Sequence, residues 1–303
     1  MTTSLESATR ELPAHTDILV VGSGFAGMGV VARVLRQNPT ADITVIERAH
    51  DVGGTWRDNT YPGVACDVPT SLYSFSFAPY ADWKHTFARG PEIHEYLRGV
   101  ADRHGIRERL ITGCALLDAR WDEDRCRWQV TTEKGECTAR ILVAATGTLS
   151  PPKLPAVPGL DSFQGQAFHS ATWDHDVELS GKRVAVVGTG ASAIQFVPEI
   201  APIADRTVVF QRTPAWVVPR ADRTRGPLER ALYRRAPWTL KAQRGAIYAY
   251  REMYVEMMAR RPKLLGAAHL VATAFLRRKV RDRTLRERVV PDYRIGCKRM
   301  LLS

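Results

Sequence analysis

Glu47 and Arg212 stand at matching places in two similar stretches of this 303-residue chain and carry opposite charge. Glu47 follows Gly22 by 25 residues and Arg212 follows Gly188 by 24, each just after a short apolar run. A carboxylate there accepts hydrogen bonds from vicinal hydroxyls and repels a phosphate, whereas a guanidinium grips a phosphate through two parallel bonds. Three other places carry groups able to do chemistry: Asp67 in a proline-rich stretch, His169 between aromatic residues, and the Lys298–Arg299 pair. Histidine invites a catalytic role because it titrates near neutrality, but a single one between aromatics in a linker reads better as a hydrogen-bonded hinge. The five cysteines (Cys66, Cys114, Cys126, Cys137, Cys297) are odd in number and form no C-x-x-C pair. That pattern fits neither a disulfide framework nor a zinc site, so no metal is expected, and reduced thiols in a cytoplasmic protein are.

Charged tips of this kind need a strand, a turn and a helix to hold them. Residues 17–21 (DILVV) read as a buried parallel strand, followed by Gly22-Ser23-Gly24-Phe25-Ala26-Gly27 and a helical pattern that ends before Pro39. This is G-x-G-x-x-G in its proper setting, with a helix N-terminus offering N–H donors to a pyrophosphate. Residues 42–46 form the next strand, which ends in Glu47 and Arg48. The acid selects a free 2′-hydroxyl, hence FAD or NAD and not NADP. The pattern returns at residues 183–187 (RVAVV), then Gly188-Thr189-Gly190-Ala191-Ser192-Ala193 and a helix bearing Gln195; residues 188–192 and Gln195 are expected to bind the cofactor. Its second strand, 207–210, leads to Gln211-Arg212-Thr213 with no acid, so this site takes NADPH. The expected fold class is α/β, with two Rossmann-like dinucleotide-binding domains and a helical insertion.

The connecting stretches set the boundaries. Residues 15–149 read as the first part of the domain that takes FAD or NAD (FAD by the resemblance given below), 150–180 as a linker stiffened by Pro151, Pro152, Pro155 and Pro158, and 181–219 as the NADPH-binding domain. Within the first, residues 91–104 read as a helix whose His94 and His104 are expected on the surface. Residues 115–121, 127–132 and 137–144 read as a three-stranded meander. Residues 220–290 hold 19 Lys and Arg against 6 Asp and Glu, a larger excess than the whole chain's net charge of +11. Their apolar residues (Leu228, Leu232, Tyr250, Tyr254, Met257, Met258, Leu265, Val271, Phe275) lie at helical spacing, with Pro227, Pro237 and Pro262 as breakers. They read as a basic helical insertion whose apolar residues line a core or a substrate pocket. No nucleic-acid partner is expected; the positive face allows weak peripheral contact with a membrane. No apolar run is long enough to span a bilayer.

Several motifs resemble a known family. Phe163-x-Gly165-x-x-x-His169-x-x-x-Trp173-Asp174 is similar to the fingerprint of type I Baeyer–Villiger monooxygenases, FAD- and NADPH-dependent enzymes. The stretches GGTW, NTYPGVACDVP and YSFSF resemble the family's FAD-embracing loop, and GCKR at 296–299 its segment bearing an active-site arginine. The resemblance implies that Gly54, Thr55, Trp56, Tyr61, Ala65, Cys66, Val68 and Tyr73 lie at the cofactor, with Asp67 beside the isoalloxazine and the backbone of Leu116 near adenine. It also implies that Lys298 meets the NADP phosphate and that Arg299, with Asp67, maintains a C4a-peroxyflavin that attacks a ketone to give an ester or lactone. Residues 291–303 then begin a return segment, and the chain reads as the N-terminal portion of a longer enzyme. Alternative readings are an N- or S-oxygenating flavin monooxygenase and an inactive nucleotide-binding fragment. The ketone and the oligomeric state are not legible.

Overall fold

A computed structural model describes residues 10–149, 151–260, 265–298 and 300–302, excepting the side chains of residues 254 and 257–259. The chain divides into two compact units, Met1–Thr60 with Pro91–Leu160, and Tyr61–Gly90 with Asp161–Ser303.

The first unit is built on β1 (His15–Val21), α1 (Phe25–Gln37) and β2 (Ile43–Ile46). The short α2 (Thr55–Asp58) and the longer α3 (Gly90–Arg103) follow, then β3 (Leu110–Ile111), β4 (Leu116–Asp122), β5 (Arg127–Thr132) and β6 (Gly135–Ala144). They form one six-stranded sheet in the order β3-β2-β1-β6-β5-β4. The first four in that order run parallel; β5 and β4 complete the sheet antiparallel, as the meander pattern predicts. Apolar residues of β1, β2 and β6 pack against α1 and the meander, with Leu19, Val20, Ile46, Met28 and Val31 fully buried. The two-residue β3 had no sequence signal of its own, since it exists only through its pairing with β2.

The second unit has a smaller frame. β7 (Arg183–Val187) and β8 (Arg206–Phe210) pair in parallel around α4 (Ala193–Ile200), and β9 (Val217–Val218) pairs in parallel with β10 (Leu301–Leu302). Four helices make the insertion: α5 (Pro227–Arg235), α6 (Pro237–Arg260), α7 (Leu265–Lys279) and α8 (Arg283–Val289). Pro227 and Pro237 open helices where breakers were expected, because a missing N–H costs nothing in a first turn. Pro262 lies outside the described residues.

The expected burial of the insertion is corrected in part. Leu265 is buried with Ala272 and Leu276 against Trp216 and Ile295. Leu228, Leu232, Tyr250 and Val271, however, face solvent, Leu228 at 86% exposure. Apolar residues lie all round α6 and α7, so periodicity does not select which face is covered. Among the described residues no helix is long and apolar enough to cross a membrane.

Candidate dinucleotide-binding sites

In the first unit the main chain turns sharply between β1 and α1. Gly22 adopts φ +101°, and a Cβ placed on Gly27 would lie 1.9 Å from the Gly22 carbonyl oxygen, so strand and helix approach as only glycine allows. α1 begins at Phe25, three residues earlier than its apolar periodicity, and no side chain caps its first turn. The N–H groups that open the helix are therefore available to an anion. Gly24 and Gly54 face one another across this opening, and a Cβ on Gly54 would come within 3.2 Å of the Gly24 Cα. The cradle has the shape that a pyrophosphate requires, and bare backbone on both sides fits a dinucleotide such as FAD.

Glu47 closes one side of the turn and is buried. Its Oε2 accepts from the Ser23 N–H (2.9 Å) and the Ser23 hydroxyl (2.8 Å), and its Oε1 accepts from the Ala49 N–H (3.1 Å). Arg57 Nη1 stands 3.2 Å from the same Oε1. Burial pushes this carboxyl up, but the Ser23 and Ala49 bonds and the Arg57 charge outweigh it and hold it below the ordinary carboxylate range. Arg57 is itself fastened, to Asp58 (2.7 Å) and to the Asp51 carbonyl oxygen.

Asp51 is a second node. Arg98 Nε and Arg107 Nη1 reach it at 2.6 and 3.0 Å, and it receives the Val52 N–H at 2.8 Å. Here too burial raises the carboxyl, and the hydrogen bonds, from Arg98 first, bring it below its usual range. His94 does not lie on the surface as its sequence position suggested. Its Nε2 bonds to the Val52 carbonyl oxygen at 2.9 Å, and a Cβ on Gly53 would strike its ring. Desolvation pushes the imidazole down, and the nearby Arg98 adds to this, so it is neutral near pH 7. His104 is likewise half-buried. These supports for the Gly53–Gly54 turn had no sequence signal, because Arg98 and Arg107 lie some 50 residues from the aspartate that they meet.

The remaining candidates of this unit surround the same turn less closely. Arg48 is exposed, 3.8 Å from Asp58; Phe25 is tilted against Tyr96 (6.4 Å between ring centroids), and Ala26 is exposed on the first turn of α1. Thr55 and Trp56 open α2, and Leu116 begins β4 opposite Thr132.

In the second unit Gly188 again takes a left-handed turn (φ +108°), its N–H bonded to the Phe210 carbonyl. Thr189, Gly190, Ala191 and Ser192 follow, Gly190 with open space where its Cβ would be, and the Ser192 side chain does not cap α4. Arg212 lies just beyond β8, exposed, with no hydrogen bond or ion pair among the described residues, and Thr213 is half-buried beside it. An open glycine turn and an unengaged guanidinium fit a phosphorylated dinucleotide.

The 61–90 stretch packs in this second unit. Gln195 on α4 accepts from the Tyr61 hydroxyl (3.0 Å) and the Ala65 N–H (3.1 Å), and donates to the Ala65 carbonyl (3.0 Å). Cys66 is buried and its thiol is pushed up to about 12, chiefly by desolvation, so it is an inert neutral group. Asp67, Val68 and Tyr73 are half-buried along the same stretch. In the strap, Phe163 is exposed and its ring lies over Gly165. His169 Nδ1 accepts from the Ala171 N–H (3.0 Å) and so starts a short 3-10 turn, and Asp174 caps Asp176. Trp173 packs on Phe168 and on Phe196 of α4, and Phe196 meets Tyr61. Lys298 sits over the Tyr293 ring at 4.6 Å. Arg299 lies outside the described residues.

The chain's relatives point the same way. Residues 15–262 match the model of a family described as flavin-binding monooxygenase-like. A Baeyer-Villiger monooxygenase of Streptomyces coelicolor is 50% identical over 95% of this chain and 56% of its own length. One from Pseudomonas aeruginosa is 42% identical over 99% and 58%. Among solved structures, an oxidized steroid monooxygenase bound to NADP superposes with a TM-score of 0.83 at 33% identity, over 95% of this chain and 62% of that one. A complex of OTEMO with FAD and NADP gives 0.81 at 27% identity, over 97% and 63%. The chain thus spans little more than half the length of the curated relatives it matches.

Proposed function

The chain belongs to the flavin-binding monooxygenase-like family, and on that footing we propose that its first unit binds FAD, its second binds NADPH, and the whole protein oxygenates a ketone to an ester or lactone. The balance is ketone, O2, NADPH and a proton giving ester, water and NADP+. One observation carries the reading: Glu47 is enclosed by hydrogen-bond donors at one tip, and Arg212 stands open at the other.

FAD and NADPH, when bound, supply the reducing electrons and the activation of oxygen. The protein's own residues bind, orient and exclude water. Gly22, Gly24, Gly27 and Gly54 let main chain close on the FAD pyrophosphate, and Glu47 takes the ribose hydroxyls. Gly188, Gly190 and the start of α4 hold the NADPH pyrophosphate, and Arg212 pairs with its 2′-phosphate. Asp67 and Arg299 act at the reacting end, where a preorganised positive charge over a developing oxyanion is worth about 3–4 kcal/mol of barrier. The relatives named Baeyer-Villiger monooxygenase support the reaction class. Cytoplasmic placement rests on five unpaired cysteines. The exposed Leu228 and Trp238 among the arginines of α5 and α6 support weak peripheral contact with anionic lipid.

The test is a nucleotide titration of the purified chain. It should carry yellow flavin and prefer NADPH over NADH, and Arg212→Ala should remove that preference with NADH affinity unchanged. A colourless protein, or an unchanged preference in the variant, overturns the assignment. Turnover that yields amine or sulfide oxides and no ester would move the chemistry to the sibling class.

A further inference from the structure

Gln195 is joined to the 61–67 loop more completely than a nucleotide ligand would be. A carboxamide has two acceptor lone pairs and two N–H donors. Both lone pairs of Gln195 are taken, by Tyr61 and Ala65, and one donor is spent on the Ala65 carbonyl. The main chain of the loop also rests directly on α4. Gly63 is left-handed (φ +77°), and a Cβ there would lie 2.6 Å from the Gln195 carbonyl oxygen and 3.0 Å from Glu199 Cγ. Phe196, the next residue on α4, meets the Tyr61 ring at 6.0 Å and the Trp173 ring at 5.3 Å. On its far side the loop is tied to residues 88 and 89, through the Cys66 N–H to the Ala88 carbonyl (2.9 Å) and an antiparallel bridge between Ala65 and Arg89.

We infer that Gln195 is a positioning residue, which seats the loop leading to Asp67 on the helix opened by the Gly188 turn, and not a nucleotide contact. This rests on the reading of that turn as the NADPH site and of Asp67 as a functional acid. The joint puts both on one rigid piece, so Asp67 keeps its place relative to the nucleotide whatever the exposed strap residues do.

The experiment compares the 303-residue chain with its Gln195→Ala and Gln195→Glu variants. NADPH affinity is read by fluorescence titration, and amide hydrogen exchange is followed over residues 61–67. In Gln195→Ala, the Ala65 amide should exchange about tenfold faster, the scale of one lost hydrogen bond, with NADPH affinity within about twofold. Gln195→Glu should recover part of the protection, because a carboxylate still accepts from Tyr61 and Ala65 but cannot donate to the Ala65 carbonyl. Should Gln195→Ala fail to fold, Tyr61→Phe removes one hydroxyl from the same joint and should speed loop exchange in the same direction. A tenfold loss of NADPH affinity with unaltered loop exchange would make Gln195 a nucleotide ligand and overturn the inference, and so would exchange unaltered in every variant. A wild-type chain without affinity for NADPH refutes the nucleotide reading, while the exchange data still decide the joint.

Discussion

Replacing Glu47 by glutamine keeps the shape of the first tip and removes its charge. Three hydrogen-bond donors and one cation converge on this carboxylate: the Ser23 N–H and hydroxyl, the Ala49 N–H, and Arg57. A carboxamide has one oxygen to offer, so its NH2 must face either the Ser23 pair or Ala49 with Arg57. In both orientations at least one backbone N–H, of buried Ser23 or of half-buried Ala49, loses its acceptor, a cost of about 1–3 kcal/mol. Arg57 keeps Asp58 and the Asp51 carbonyl, so its charge is not stranded, and loss of its attraction to the Glu47 charge adds about 1 kcal/mol. The expected total is about 2–4 kcal/mol, a large part of the stability of a typical domain. Urea unfolding at pH 7 should show it as a lower midpoint with unchanged slope. The pH dependence gives an independent check. The Glu47 pKa is depressed on folding, so its ionisation stabilises the protein fully above the ordinary value of 4.5. That contribution fades as pH falls through the lower folded value. The gap between wild type and Glu47→Gln should therefore narrow below about pH 4.5. A difference under about 0.5 kcal/mol at pH 7, or a gap that does not change in acid, would refute the reasoning.

Gly27→Ala drives a methyl group into the Gly22 carbonyl. Backbone cannot give way as a side chain does, so destabilisation of at least about 1–3 kcal/mol is expected in thermal unfolding, with weaker flavin retention. His94→Ala removes the bond to the Val52 carbonyl and the ring under Gly53. Its FAD dissociation constant, measured by flavin fluorescence, should rise about five- to tenfold, and His94→Gln should restore part of the loss by donating to the same oxygen. Phe196→Ala empties the space between Tyr61 and Trp173, a loss of about 3–5 kcal/mol, and the Trp173 emission should shift to the red.

Strands and turns near the two glycine motifs were legible because they obey local rules. The 17–21 part of β1 and all of β2 are nearly continuous apolar runs without alternation, and Gly22 and Gly188 meet a backbone demand that no other residue satisfies cheaply. The meander was readable from its polar turns. What escaped was everything decided by partners far away in the chain. The His94 position looked like a solvated helix face until Val52 covered it, and the place of Asp51 depends on Arg98 and Arg107 arriving from two later elements. The basic insertion failed in the opposite sense. Its apolar spacing was real, but α6 and α7 carry apolar residues on every side, and Leu265, Ala272 and Leu276 were covered in preference to Tyr250 and Val271.

The two tips differ by more than the sign of one side chain. Glu47 accepts three hydrogen bonds from the protein and is ion-paired with Arg57, so a ribose hydroxyl that bonds to it meets a carboxylate already surrounded by donors. Two of those donors are backbone N–H groups, immovable without unmaking the turn, and Arg57 is pinned by Asp58 and Asp51. Only the Ser23 hydroxyl can rotate aside, and a ribose hydroxyl then replaces it like for like, one O–H donor for another. A 2′-phosphate brings acceptors alone and has nothing to exchange with this carboxylate. At the other tip Arg212 makes no hydrogen bond or ion pair among the described residues, and its five N–H groups have the fork geometry that phosphate matches. On the proposed assignment, nucleotide preference in each unit would be set by what the neighbours of the tip have already supplied, so exchanging the two tip residues alone should not exchange the ligands.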